Sequence, residues 1–513
     1  MHEAVATRGP ARLAAGTAEV WGLTRNRSLD SYVRNAGLAD RRAERQRAYL
    51  AVDPRLHLLR VDAEAADGGT TPLAALMTFA VHGTGVPVRS EVYNADLWAY
   101  VTGELAARVE RSHGGRPVVG AVEGTHADVA PALHPGQAGH LEAERVGRGI
   151  GARAADLYGD LDGRLADRVE LACGWRDVDL DRERTAGGVT LPRRPAVGAA
   201  LVAGAYENET PVIHRIPPFR PGSPRRRARG PQGAKHVLGG PFQRLVLPLR
   251  AFPRVVPVQV VRVGPVALVG LPFELTVETG RRIEAAVGAA TRGHGVDRVV
   301  VTSVANEYAG YCTTAEEYGE QRYEGGHTLY GPGTQAFVAA HAARLAGDTL
   351  RDGLVSDLAA DRRFDLAHRR YLARPEGPDG RDAPRAVSGP AGFTDATATA
   401  DSVWRLDWWD VAPGRLAWHE PLVRVEMQDG PDGPWLPAVA QGRPVDDGGC
   451  DIEVVHVGPS RRHRQDGGDD HGGGERHRYT VRWWSPGFRA GRRHRFVLVA
   501  NAGRPEVASD PFD

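Results

Sequence analysis

The alternation of hydrophobic and polar residues divides the chain into two regions. Up to about residue 370, strand-like runs such as 56–61 and 299–304 alternate with helix-like runs such as 141–170 and 336–358. This alternation predicts a mixed α/β (α+β) domain. Further along, five short runs favour the strands of a small immunoglobulin-like β-sandwich. They cover residues 402–409, 422–427, 451–457, 479–484 and 495–499.

A stretch rich in proline and glycine separates these regions. It covers residues 374–392 and is the best candidate for a linker. The predicted domains are therefore residues 1–373 and residues 393–513, with the linker between them. Because 513 residues exceed what one hydrophobic core usually supports, more than one domain is expected.

Composition excludes several classes of function. The 65 basic and 64 acidic residues give a formal net charge of +1, which offers no electrostatic reason to expect nucleic acid as a partner. The three cysteines show no paired spacing, so neither a disulfide framework nor a thiolate metal site is expected. Polar residues and prolines interrupt the most apolar long stretch, and the N-terminus lacks the apolar core of a signal peptide. We therefore expect neither a membrane span nor a secretory signal, and localisation stays open.

The main topological prediction is a βαβ unit. Residues 266–271 and 299–304 are predicted as buried strands, and residues 276–287 between them as a helix. A right-handed crossover makes such strands parallel, with both carboxyl ends at one edge of the sheet. Glu274 follows the first strand and Tyr311 follows the second. The two side chains are therefore expected to be neighbours.

Residues 306–331 contain five tyrosines and five glutamates among several glycines. Neither the helical nor the strand period fits them, which indicates a loop and a short helix that line a polar site. Amphipathic tyrosines that fill the core are the alternative. The run resembles a segment of the neutral (non-lysosomal) ceramidases, written YxTTxEEYxxQRYEGxSTLYGP. It departs from that pattern only at the serine position, which is His327.

Two further segments carry the same resemblance. Residues 77–86, MTFAVHGTGV, are similar to the ceramidase sequence NWFAVHGTSM, and residues 271–282 are similar to PGEFTTxxGRR. The resemblance implies that His82, Glu274 and Tyr311 bind zinc. A lone histidine at a strand end is otherwise more often a hydrogen-bonded structural residue.

The resemblance also implies two residues that contact the substrate. Residues 24–35, TRNRSLDSYVRN, are similar to NINRSPxxYLxN, which makes Arg27 the expected partner of the polar end of the substrate. Tyr323 matches a family tyrosine that borders the reacting amide. For Arg27, an ordinary ion pair at the surface is the alternative.

The implied activity is zinc-dependent hydrolysis of the N-acyl amide of ceramide to a sphingoid base and a fatty acid. Imidazole nitrogen, carboxylate and phenolate oxygen are acceptable Zn²⁺ ligands, and an open position on the ion lowers the pKa of a bound water to about 7. The expected partners are a ceramide-like lipid and, by peripheral contact, a membrane. Family members are commonly secreted or membrane-associated. No protein partner can be inferred.

Two departures from the family pattern affect residues that carry the chemistry. The serine motif GDVSPN is represented by ADVAPA at residues 127–132, so Ala130 occupies the serine position. If that serine is the obligatory nucleophile, activity is lost. If zinc-bound water attacks instead, the chain loses only a few kcal/mol of transition-state stabilisation. The family's THTHSGP segment, which supplies another zinc histidine, has no counterpart here, so the chain is N-terminally incomplete relative to the family.

His126 and His134 flank the altered serine motif and are candidates to replace the missing ligand. Loop histidines are usually solvated, which favours the interpretation that neither residue binds metal. Two alternatives to a ceramidase stay open. One is a catalytically inactive pseudoenzyme or lipid-binding relative, and the other is a hydrolase of another amide or ester.

Overall fold

The computed structural model describes residues 5–513 except 39–44, 66, 88–94, 136–138, 360–384, 396–401, 419, 450, 460–475 and 485–491. The chain divides into two compact units. One comprises Met1–Gly83, Arg108–Ala132 and Ile150–Leu366, and the other comprises Thr84–Ala107, Leu133–Gly149 and Ala367–Asp513. Within the described residues, no helix combines the length and the apolar character needed to cross a bilayer.

A four-stranded sheet forms in the first unit. Its strands lie in the order Ala11–Glu19, Arg55–Glu64, Thr70–Phe79 and Val118–Glu123. The first three are antiparallel neighbours, and the last two are parallel. Buried and partly exposed side chains alternate along Arg55–Glu64, as the period of a half-buried strand requires. The predicted strand at residues 56–61 is therefore confirmed.

A five-stranded mixed sheet contains the predicted βαβ unit. Its strands lie in the order Arg298–Thr302, Val266–Gly270, Val255–Val263, Leu171–Asp179 and Leu354–Asp357. Val266–Gly270 and Arg298–Thr302 are parallel neighbours in the sheet, and the helix Val277–Ala290 lies between them in the sequence. This helix and Thr334–Asp352 contribute buried residues such as Val287 to the hydrophobic core of the sheet. The βαβ prediction is confirmed.

Two predicted helices end earlier than the sequence pattern indicates. The helix predicted at 336–358 stops at Asp352, because Gly353 takes a φ of 77° that other residues rarely adopt. Residues Leu354–Asp357 then join the five-stranded sheet as an edge strand. The helix predicted at 141–170 is His140–Asp160, and the chain turns just beyond its end.

The C-terminal β region consists of two sheets around one core. The first has the order Ala386–Val387, Val403–Asp410, His477–Trp484 and Ile452–Pro459, with Gly392–Thr394 also paired to Val403–Asp410. The second has the order Trp435–Pro437, Val423–Gln428, Arg493–Leu498 and Val507–Ala508. Trp408 and Trp483 of the first sheet share a hydrophobic core with Phe496 of the second. The five predicted strands are present, whereas the immunoglobulin-like topology stays a prediction.

The predicted linker is only partly within the described residues. Residues 374–384 lie outside them, whereas Ala386–Val387 and Gly392 belong to strands. The domain boundaries therefore stay a prediction.

The remaining elements are short, apart from one long helix. The longer helix is Asp96–His113, and the short helices are Leu29–Tyr32, Gln243–Val246, Ala315–Glu320 and Tyr323–His327. The short strands are Thr24–Asn26, Val129–Pro131, Thr185–Ala186, Val189–Thr190, Glu274–Leu275, Tyr311–Cys312, Val439–Ala440 and Arg443–Pro444.

Candidate active site

His82 and His126 meet because two parallel strands end at the same edge of the four-stranded sheet. Phe79 and Glu123 are register partners at the ends of those strands, and each histidine follows three residues later. The centroids of the two imidazole rings are 4.5 Å apart. Strand register therefore brings together two histidines that are far apart in the sequence.

Glu274 and Tyr311 meet in the same way beside the five-stranded sheet. They are register partners in a short parallel pair, in which Glu274 comes after the first strand of the βαβ unit and Tyr311 after the second. The expectation that they are neighbours is confirmed. Tyr308, from the same tyrosine-rich run, donates a hydrogen bond from its hydroxyl to Glu274 Oε1 at 2.8 Å.

Three of these side chains form a candidate metal centre. The ligand atoms of His82, His126 and Glu274 all lie within 4.8 Å of one another. His82 Nε2 lies 2.9 Å from Glu274 Oε2, and His126 Nε2 lies 3.7 Å from the same oxygen. Two imidazole nitrogens and a carboxylate are ligands that Zn²⁺ accepts.

Backbone carbonyls orient both imidazoles toward Glu274. His82 Nδ1 lies 2.9 Å from the carbonyl oxygen of Val129, and His126 Nδ1 lies 3.1 Å from that of Gly124. Because a carbonyl oxygen only accepts, each Nδ1 carries a proton, and in a neutral ring Nε2 then turns a lone pair toward the carboxylate. Burial, together with repulsion from His82, lowers the pKa of His126 to about 3, so this ring is neutral near pH 7.

This arrangement favours a positive species between the imidazole nitrogens and the Glu274 carboxylate. Burial opposes the charge on Glu274, but the neighbouring His82 and Tyr311 outweigh burial and lower its pKa to about 2. His126 Nε2 lies 3.3 Å from Glu123 Oε2 and 3.7 Å from Glu274 Oε2, so two carboxylates face this neutral nitrogen. A metal ion would satisfy both nitrogens at once, so the residues present fit a zinc site.

Tyr311 lies next to the metal cluster and is buried. Burial raises the pKa of its phenol, whereas the Arg27 guanidinium acts in the opposite direction. The Nη2 atom of Arg27 donates a hydrogen bond to the Tyr311 hydroxyl oxygen at 3.3 Å. Arg27 is therefore the group that favours the phenolate form in which Tyr311 would bind a metal.

Arg27 is a buried residue with acidic partners. Only 8% of it is exposed, so the alternative of a surface ion pair is wrong. Its Nε donates to Glu324 Oε1 at 3.2 Å, and its Nη1 donates to Glu207 Oε2 at 3.4 Å. The guanidinium also lies 5.6 Å from the centre of the Tyr323 ring.

Tyr323 and His327 surround Tyr311. Their ring centroids lie 5.5 Å and 5.0 Å from that of Tyr311. Burial lowers the pKa of His327 to about 4, and its buried Nδ1 has no hydrogen-bond partner among the described residues. The one residue that departs from the tyrosine-rich family pattern thus lies directly beside a predicted ligand.

A cavity of about 410 Å³ lies beside Arg27 and Tyr323. A long loop segment with only short 3₁₀ turns supplies most of its other lining, which includes Gly204, Tyr206, Glu209, His214, Arg215, Arg220 and Pro221. Ser28 and Arg322 complete the lining. Two of its lining residues, Arg27 and Tyr323, contact Tyr311.

The two histidines that flank the serine motif occupy different surroundings. His126 is buried in the metal cluster, whereas the His134 side chain is 58% exposed and lies 2.9 Å from Glu142. Ala130 is buried in the strand Val129–Pro131 and pairs with Arg25. Of the two candidate replacement ligands, His126 is the one that the fold brings to Glu274.

Three residues of this site had no role predicted from the sequence. Tyr308 bonds Glu274, and Glu207 and Glu324 hold Arg27. Glu324 carried a signal, because it belongs to the family pattern beside Tyr323. His126 also carried a signal that it could bind metal. Like His82, it comes just after a strand-like run.

Comparison with known proteins finds similarity to one family. Residues 135–339 match the sequence profile described as neutral/alkaline non-lysosomal ceramidase, N-terminal. The chain is 31% identical over 357 residues to the neutral ceramidase of Pseudomonas aeruginosa, covering 66% of this chain and 51% of that protein. It is 29% identical over 380 residues to the neutral ceramidase of Mycobacterium tuberculosis, covering 69% and 57%. The chain thus spans about half the length of the curated relatives that it matches.

Solved structures give the same fold. The crystal structure of neutral ceramidase from Pseudomonas aeruginosa has a TM-score of 0.67 to this chain at 22% sequence identity, covering 100% of this chain and 78% of that one. A ceramidase complexed with C2 has a TM-score of 0.69 at 22% identity, covering 100% and 79%. The predicted mixed α/β fold is confirmed. On the sequence profile and the curated relatives together, this chain is similar to the neutral/alkaline non-lysosomal ceramidases.

Proposed function

We propose that the chain is a metal-dependent amidase of the ceramidase type, which hydrolyses the N-acyl amide of ceramide-like lipids to a sphingoid base and a fatty acid. One observation carries this proposal: His82, His126, Glu274 and Tyr311 converge at the ends of parallel strands. The matched relatives, which are named neutral ceramidases, support the substrate class.

Zn²⁺ is the proposed metal, with His82, His126, Glu274 and Tyr311 as its ligands. This set of nitrogen and oxygen donors suits zinc. When bound, zinc supplies a Lewis acid that activates water and polarises a carbonyl group. Because His126 is already neutral and Glu274 is already ionised near pH 7, neither residue has to lose a proton to bind the metal.

Arg27 and Tyr323 are the proposed substrate-binding residues. Both line the cavity next to Tyr311. Their N–H and O–H groups are donors that can stabilise the negative charge that develops on the carbonyl oxygen. Because Glu207 and Glu324 already fix Arg27, the guanidinium needs little reorganisation when a substrate binds.

The second candidate is a catalytically inactive relative that binds lipid without turnover. Ala130 favours it, because a buried methyl group can neither attack a carbonyl nor donate a hydrogen bond. Under the main proposal, water is the nucleophile and a serine at this position would add only one polar group. The two candidates therefore differ in what Ala130→Ser should do.

Zinc content and fatty-acid release from a fluorescent ceramide test these candidates. We expect the purified protein to hold stoichiometric zinc and to release fatty acid, and Glu274→Gln to lose both. We expect Ala130→Ser to change turnover by less than about 100-fold, the size of one transition-state hydrogen bond. Zinc binding with turnover only in Ala130→Ser would establish the inactive candidate. Absence of zinc and of turnover in both the wild type and Ala130→Ser would exclude the metal-dependent amidase.

Peripheral membrane contact is a further part of the proposal. Phe242, Leu245 and Val246 are 72%, 80% and 78% exposed, and Arg244 lies among them in the sequence. Exposed apolar side chains next to cations are typical of surfaces that bind anionic bilayers. We expect the protein to sediment with phosphatidylglycerol vesicles, and Leu245→Ser/Val246→Ser to sediment less. Equal sedimentation of the two proteins would contradict this contact.

A further inference from the structure

Asp128 is a buried carboxylate that the proposed reaction does not use. Only 2% of it is exposed, and it follows His126 by two residues in the segment that carries the altered serine motif. Its Oδ2 accepts a hydrogen bond from Asn26 Nδ2 at 2.7 Å, and its Oδ1 accepts one from the backbone N–H of Val277 at 2.9 Å. Each carboxylate oxygen therefore holds a part of the chain that is distant in the sequence.

The bond to Asn26 fixes the segment that carries Arg27. The backbone N–H of Arg27 donates to the carbonyl oxygen of Asp128 at 2.8 Å. The strand Thr24–Asn26 also pairs with Val129–Pro131. Side-chain and backbone acceptors of Asp128 together fix the position from which Arg27 reaches the candidate metal centre.

The bond to Val277 fixes the chain just after Glu274. Val277 is the first residue of a helix, and the first N–H groups of a helix have no partner within it. The side chain of Thr276, which precedes the helix, does not cap it, and its hydroxyl donates to Glu317 Oε2 at 2.6 Å. Asp128 supplies the acceptor instead. A carboxylate also suits the positive end of the helix dipole.

Backbone bonds on either side of Asp128 add a third connection. The N–H of Ala127 donates to the carbonyl oxygen of Leu275 at 3.0 Å. The carbonyl oxygen of Val129 accepts the backbone N–H of His82 at 3.1 Å and lies 2.9 Å from His82 Nδ1. One short segment thus contacts every part of the chain that supplies a ligand atom to the metal cluster.

We propose that Asp128 is a positioning residue of the candidate metal centre, which holds His126 and Glu274 at the spacing that a metal requires. It belongs neither to the metal cluster nor to the cavity lining, so it acts through the segments that it joins. Loss of a contact outside the ligand set typically weakens metal binding by about 10- to 100-fold, because the ligands are no longer held in place. The role is independent of the hydroxyl that Ala130 lacks. This inference rests on the proposed metal-dependent function and concerns how its site is organised.

Hydrogen exchange of the full chain after treatment with a chelator tests the positioning role without metal or turnover. Asp128→Ala removes both side-chain acceptors. We expect the backbone amides of residues 24–28, 80–84 and 274–278 to exchange at least about tenfold faster, because local opening of these segments then costs less free energy.

Asp62→Ala is the matched control for loss of a buried carboxylate. Asp62 is 1% exposed and accepts hydrogen bonds from Arg60 and Tyr158, which lie outside the three segments. This variant should leave exchange in the three segments unchanged within about twofold.

Zinc affinity, measured by competition with a chromophoric chelator, is the second measurement. Asp128→Ala should bind zinc at least about tenfold more weakly than the wild type, whereas Asp62→Ala should keep the wild-type affinity. Asp128→Asn retains the shape of the side chain and one acceptor oxygen, so it should change exchange and zinc affinity in the same direction by less. It replaces Asp128→Ala in both measurements if that variant does not fold.

Three results would overturn the positioning role. They are faster exchange confined to the residues around 128, equal acceleration of the three segments in Asp62→Ala, and unchanged zinc affinity in a variant whose segments exchange faster. A wild type that binds no zinc would instead remove the proposed metal-dependent function. The exchange pattern of the metal-free chain would then still decide whether Asp128 fixes the three segments.

Discussion

The site has two walls that are built differently. The strand wall consists of His82, His126, Glu274 and Tyr311, which register places at the ends of parallel strands. The loop wall consists of residues 204–221, which have only short 3₁₀ turns. The side chains of the strand wall are buried or partly buried, whereas Arg215 and Arg220 of the loop wall are exposed.

The difference separates chemistry from recognition. A metal centre needs ligands fixed to within a fraction of an ångström, and strand register supplies that precision. A specificity surface tolerates exchange of residues, which loops on a rigid scaffold allow. Arg27 connects the two walls, because it bonds Tyr311 of the strand wall and Glu207 of the loop wall.

The largest expected effect comes from removing this connection. Arg27→Met should lower the free energy of unfolding by about 3–5 kcal/mol, because it leaves the buried Glu324 carboxylate without its cation. Chemical denaturation measures the change. Arg25→Met is the matched control, since Arg25 is partly exposed and lies 3.9 Å from Glu207, and it should cost less than about 1 kcal/mol. Similar losses in the two variants would mean that Arg27 is not the connection between the walls.

Removal of one ligand from the strand wall should have the next largest effect. His126→Ala should weaken zinc binding by at least about 100-fold, or about 2.7 kcal/mol, because it removes a ligand from the cluster. Competition with a chromophoric chelator measures the affinity. His134→Ala, which changes the exposed histidine on the other side of the serine motif, should leave zinc affinity unchanged. Unaltered affinity in His126→Ala would remove this residue from the site.

The strand wall was largely predictable from the sequence, and the reason is local. The apolar runs at 266–271 and 299–304 are separated by one helix, so the right-handed crossover rule was enough to place Glu274 next to Tyr311. His126 was not predictable in this way. Its contact with His82 depends on the parallel pairing of Thr70–Phe79 with Val118–Glu123, which no local pattern specifies.

The loop wall was not predictable, because its contacts join distant parts of the chain. Arg27 and Glu207 are 180 residues apart, and no periodic pattern links them, so burial of Arg27 could not be distinguished from a surface ion pair. The basic residues at 225–229 specify no cavity either, because such a run in a proline-rich segment predicts a solvated loop. That a neighbouring part of this loop lines a cavity depends on tertiary contacts such as the hydrogen bond between Gly198 N and Gly326 O.

A smaller effect is expected from Lys235, which attaches its loop segment to residues 196 and 328. Its Nζ donates to the carbonyl oxygens of Ala196 at 3.0 Å and Thr328 at 2.6 Å, and burial lowers its pKa to about 7. Lys235→Met leaves both carbonyls unpaired and should cost about 1–3 kcal/mol at pH 9, measured by chemical denaturation. Arg229→Met, at an exposed position of the same segment, is the control and should be neutral.

The cost of Lys235→Met should also depend on pH. The pKa of this lysine is lower in the folded chain than its ordinary value of 10.5, so between pH 7 and pH 10 the unfolded chain binds more protons at this residue. Its contribution to stability therefore rises with pH, by up to about 1.4 kcal/mol per unit. The difference between wild type and Lys235→Met should widen over this range. A difference that is constant with pH would show that Lys235 titrates normally.

The smallest expected effect tests whether the loop wall serves recognition without supporting the fold. R215Q/R220Q should change the free energy of unfolding by less than about 0.5 kcal/mol, because both side chains are exposed and have no acidic partner within the described residues. Zinc affinity should also be unchanged, since neither arginine belongs to the metal cluster. Thermal denaturation and chelator competition on the same samples measure both quantities. A loss of zinc together with stability would mean that the two walls form one cooperative structure, and the division between chemistry and recognition would then fail.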